Sequence, residues 1–100
     1  MAKKYSVIVE ERAYDDLRDI FIYIALDSPL IAEQIYNELL DQKRSLEQFP
    51  ERHQIIVIVR DHEIRHLVFK RGFRILYTIS GHEVHILHCF RSEQNINNVF

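Results

Sequence analysis

The sequence predicts an α+β fold: an N-terminal strand, then an antiparallel helical hairpin packed on a three- to four-stranded, mainly antiparallel sheet. Three observations predict it. Apolar residues recur at helical spacing only in the first half of the chain, they alternate at period two from residue 63 onward, and short glycine-containing breaks divide that second region into hairpins. No repeat, linker or composition shift interrupts the 100 residues, so 1–100 reads as a single domain with an adequate but not generous core.

Each element has a local reason. Tyr5 to Glu10 (YSVIVE) is short and β-rich, a first strand. From Glu11 the pattern changes: Ala13, Leu17, Ile20, Phe21 and Ile24 form a helical stripe, with Asp15, Asp16, Arg18 and Asp19 between them. That helix ends near Asp27. Ser28-Pro29 supplies a capping hydroxyl and a proline suited to the first turn of the next helix. The second stripe is Ala32, Ile35, Tyr36, Leu39 and Leu46, and it stops before Pro50, which disfavours helix at Phe49. So short a link makes the two helices antiparallel neighbours. Ile55 to Val59 is a continuous β-branched run; Glu63 to Phe69, Phe73 to Ile79 and Glu83 to Phe90 alternate. Lys70-Arg71-Gly72 and Ser80-Gly81 join the last three as tight turns.

Composition excludes several classes. Hydrophobic residues are 47% and charged residues 28%, the balance of a folded domain, and two glycines with two prolines exclude a low-complexity chain. A lone cysteine, Cys89, forms no internal disulfide and suits a reducing compartment. Lys3 and Lys4 resemble the start of a signal peptide, but Glu10 and Glu11 break the apolar run that follows. The longest apolar run, Ile20 to Leu26, is far below the roughly 18 residues a membrane span needs. A cytoplasmic protein without membrane contact is expected. The net charge of −2 hides an asymmetry. Residues 1–50 hold six Lys and Arg against ten Asp and Glu, a net of −4; residues 51–91 hold seven against four, a net of +3, with all six histidines. The excess is too small to imply sequence-specific nucleic-acid binding.

Candidate chemistry lies in the second half. Arg65, Arg74 and Arg91 fall on successive strands, which run about 4.8 Å apart. If they face the same way they form a cationic patch able to grip phosphate or carboxylate, and they are the candidate target-binding residues. The plainer reading is that each extends at a sheet edge or pairs with a glutamate. His82, His85 and His88 invite a metal, but at about 3.3 Å per residue His85 points away from two histidines roughly 20 Å apart. No metal site is expected. His66 or His88 could act as acid or base. There is no nucleophile elbow, P-loop or dinucleotide fingerprint, so no cofactor is expected.

Four stretches carry a family resemblance: YSVIVEERAYDDLRDIFIYIALDSP at 5–29, IAEQIYNELL at 31–40, Leu46 to Pro50, and IRHLVFKRGFRILYTISGHEVHILHCFR at 64–91. In order and spacing they resemble the ParE branch of the ParE/RelE toxins, the poison half of type II toxin–antitoxin pairs. The resemblance implies the fold read above and a cognate antitoxin that wraps the toxin in a hetero-oligomer. ParE-like members inhibit DNA gyrase; RelE-like members cut messenger RNA in the ribosome. The YIA-D-SP helix link is the ParE-like form. Arg74 and Arg91 match positions where RelE-like enzymes keep arginines, and Arg65 falls where a lysine would stand. Leu67 replaces a second lysine, however, and the tail 92–100 has no tyrosine. An RNase would have to work with Arg74, Arg91 and a histidine, His88 or His66. The expectation is therefore a gyrase poison with no catalytic residues. Alternatives are a ribosome-dependent mRNA endonuclease and a non-toxic antitoxin-binding module. The tail 92–100 is a further candidate for toxicity.

Overall fold

The computed structural model describes residues 4–69 and 72–91. In chain order the elements are β1 (Ser6–Val9), α1 (Glu11–Asp27), α2 (Pro29–Gln48), a short 3₁₀ turn (Pro50–Arg52), β2 (Ile55–Val59), β3 (His62–Val68), β4 (Phe73–Ser80) and β5 (Glu83–Arg91). The strands form one five-stranded sheet ordered β1-β5-β4-β3-β2. The last four make the expected antiparallel meander, and β1 adds parallel to β5 with Val7 beside Val84. Lys70, Arg71 and the tail 92–100 lie outside the described residues.

The helix link folds as its residues require. Ser28 Oγ accepts the Ile31 N–H at 3.3 Å, and Pro29 fills the first helical position, where its missing donor costs nothing. At α1 the capping position is Glu10, whose side chain makes no cap bond because it is turned toward the sheet. Gly72 and Gly81 take positive φ in their turns, as glycine readily does. The β2–β3 turn is different: Arg60 (φ 49°) and Asp61 (φ 68°) are both left-handed without being glycine. That geometry matches the twist of the flanking strands but strains side-chain-bearing residues.

Both faces of the sheet bury side chains. Toward the helices, Leu67, Phe69, Phe73, Ile75, Tyr77, Val84 and Ile86 pack with Ala13, Ile35 and Leu46. On the opposite face Ile64, Leu76 and Phe90 form a smaller buried cluster with Ile56, Val57, Val59 and Leu87 packed against it. Among the described residues no helical side chain joins that second cluster, which side chains of the sheet alone build. A bulge assists: Leu76 pairs with His88 but Tyr77 pairs with Ile86, leaving Leu87 as the extra residue.

Candidate functional site, an apolar groove and the opposite sheet face

The half of the hairpin away from its loop encloses a groove of about 440 Å³. Leu17 and Phe21 of α1, Leu39 and Leu46 of α2, and Ile75 and Ile86 of the sheet line it. Phe21 and Tyr36 meet edge to face at 6.1 Å. The rim is apolar too: Tyr14 is 64% exposed, Ile22 54% and Tyr36 53%. Arg18 and Lys43 flank it. A water-facing groove with this lining is a candidate binding surface, since contiguous apolar surface is costly to leave open. The sequence carried a trace of it. The run Ile20 to Leu26 sets apolar residues all round the helix, more than one buried stripe can use.

The three arginines do not form one patch. Arg65 pairs with Tyr77, and Val68 pairs with Arg74, so period-two alternation sends Arg65 to the helix side and Arg74 to the opposite face. Arg65 Nη1 donates to the carbonyls of Glu51 (2.8 Å) and His53 (2.7 Å), clamping the segment that leaves α2. Tyr77 OH donates to the Pro50 carbonyl of the same segment. Arg74 lies over the Phe90 ring at 5.7 Å, a cation–π arrangement. The backbone of Arg91 pairs with Phe73 at the end of β5, and its side chain lies outside what is described.

The face opposite the helices does gather two histidines. His66 and His88 both pair with Leu76, one from each side, and two strand spacings set them about 10 Å apart. Burial, then the Arg74 charge, lowers the His66 pKa. Burial and Arg12 lower that of His88, against the opposing pull of Asp16, whose carboxylate lies 3.7 Å from Nδ1. Both rings are therefore neutral at pH 7. Asp16 also accepts the Cys89 N–H at 3.2 Å, satisfying an edge donor beyond the last β1–β5 pair. Burial, then Asp16, pushes the Cys89 thiol up to about 12.

His85 sits between two carboxylates, a pairing that strand pattern alone did not predict. Its Nδ1 lies 2.6 Å from Glu10 Oε1 and its Nε2 3.1 Å from Glu83 Oε1. The Glu10 bond raises its pKa, against burial and together with Glu83. Among the described residues no three His, Cys, Asp or Glu side chains gather as a metal site, and no helix is long and apolar enough to cross a membrane.

Fold and groove together define a small α+β domain with an open apolar groove along its helical hairpin. Residues 7–96 match the profile of the ParE toxin of the type II toxin–antitoxin system parDE, and the chain belongs to that family. Among solved structures it is similar to a chromosomal ParDE toxin–antitoxin system from P. aeruginosa, with a TM-score of 0.73 and 24% identity over 92% of this chain and 100% of that one. At that identity the likeness carries the fold. No curated protein matches at a significant level.

Proposed function

We propose that the chain inhibits DNA gyrase and that a cognate antitoxin neutralises it by laying an apolar segment in the hairpin groove. The groove is the observation that carries this reading: about 440 Å³, floored by Leu39, Leu46, Ile75 and Ile86 and rimmed by exposed Ile22 and Tyr36. An amphipathic helix with anchors at helical spacing would fill it. Family membership and the ParE-like helix link both favour the gyrase reading. In this reading the protein is a poison rather than a catalyst.

The test has two arms. Purified toxin added to gyrase and relaxed plasmid should block supercoiling or accumulate linear DNA; unaffected supercoiling at excess toxin refutes the target. Co-expression with the product of the adjacent gene should yield a stable hetero-oligomer. Ile22→Glu with Tyr36→Glu should abolish it without unfolding the toxin, because both side chains are more than half exposed. Capture unchanged by both charges refutes the groove.

A second reading, messenger RNA cleavage, is favoured by one observation: neutral His66 and His88 flank Leu76 on the face that carries Arg74. A neutral imidazole can take the 2′-hydroxyl proton, and a guanidinium can steady the phosphorane. Codon-phased cleavage in a translating extract that is lost in Arg74→Ala with His88→Ala would establish it; intact message sinks it. Normal growth on induction without antitoxin would instead identify a non-toxic binding module.

A further inference from the structure

The hairpin has a second apolar surface, at the end opposite the groove. Leu26 is 84% exposed, Tyr23 64% and Leu30 63%. None of the three lines the groove, and Tyr23 and Leu26 border a separate hollow with Asp27, Ser28 and Ile31. Three large apolar side chains at a loop that any polar residue could serve are unfavourable for an isolated domain. The charge around them is of one sign. Asp27 and Glu33 are the charged residues nearest them along the chain, while Asp19 and Asp41, farther along the helices, are paired with Arg18 at 3.8 Å and Arg44 at 3.6 Å.

We infer that this tip is the target-docking surface, and that it inserts into a protein pocket that is apolar at its centre and ringed by Lys and Arg. This rests on the gyrase reading: an enzyme that holds DNA needs cationic surface for the phosphates, and an acidic, apolar tip complements such a surface. The same charge repels anionic lipid and nucleic acid. Exposed Tyr23 is of the anchor type that dominates binding energy, Leu26 and Leu30 add apolar area beside it, and acidic neighbours steer approach.

The experiment measures inhibition of gyrase holoenzyme by the full chain, its Leu26→Gln/Leu30→Gln variant and Asp27→Lys, with melting temperatures as the check on folding. The tip proposal expects the half-inhibitory concentration to rise at least about tenfold for the double variant at unchanged melting temperature. It also expects a smaller rise for Asp27→Lys, and weaker inhibition by wild type as salt increases. If wild type inhibits and the double variant is equally potent, the tip proposal falls and the gyrase reading stands. If wild type does not inhibit gyrase, both fall. Binding of wild type to phosphatidylglycerol vesicles, or a wild-type dimer that the double variant dissolves, assigns the tip to a membrane or to a second copy and overturns the proposal.

Discussion

Arg65 is one of the arginines that sequence pattern offers as a target contact, and its geometry predicts instead that its loss is felt as stability. Arg65→Gln removes two charge-assisted bonds, at 2.8 and 2.7 Å, to the carbonyls of Glu51 and His53. Bonds to charged groups contribute about 1.5–3 kcal/mol each when buried, but one of these is exposed and the other part-buried. Solvent screening reduces the pair to about 1–2 kcal/mol in total. For a domain of this size that lowers the melting temperature by about 5–10 °C. Tyr77→Phe removes a bond to the buried Pro50 carbonyl of the same segment and should cost about 1 kcal/mol. Because both side chains hold one segment, the double variant should depart from additivity by about 0.5 kcal/mol or more. Thermal and urea unfolding followed by circular dichroism read all three values, and gyrase inhibition well below the melt should be retained. A melting temperature for Arg65→Gln within about 2 °C of wild type refutes the clamp. Potency lost in the fully folded variant returns Arg65 to the target interface.

Three further predictions concern other parts of the molecule. Replacing Arg60 with Asn and Asp61 with Gly relieves two positive φ angles in the β2–β3 turn and should stabilise by about 1 kcal/mol in urea unfolding; no gain would mean the turn is unstrained. His85 is raised by its bond to Glu10, so its contribution is present in full below its unfolded pKa of about 6.5 and is lost as pH climbs through the folded value. The unfolding free energy of wild type should therefore exceed that of His85→Gln by a margin that shrinks between pH 6 and pH 9; a constant margin contradicts the Glu10–His85–Glu83 arrangement. Cys89 is buried and its thiolate disfavoured, so iodoacetamide at pH 8 should label it only when the protein unfolds. Rapid native labelling would show an open edge at β5.

Much of the fold was legible locally. The stripe Ala13, Leu17, Ile20, Phe21 and Ile24, the Ser28-Pro29 cap and the alternation from Phe73 onward each state their conformation within a few residues, because helix and strand periods are set by the backbone. The Arg60-Asp61 turn was not legible, since neither residue advertises a left-handed backbone as Asn-Gly would. Of the candidate site, the excess of apolar residues on α1 could be read. The groove itself could not, because it exists only where α1, α2 and two central strands meet.

Sequence alone therefore determined the elements, their order and the charge each carries. Tertiary structure decided which of them touch. It laid β1 parallel beside β5 and brought Glu10 to His85 across 75 positions. It also set Arg65 opposite Tyr77 while Arg74 faces the other way. The physical reason is that strand order and register are collective. Shifting a pairing by one residue exchanges the two faces of a strand, and only burial summed over the whole sheet selects among such shifts.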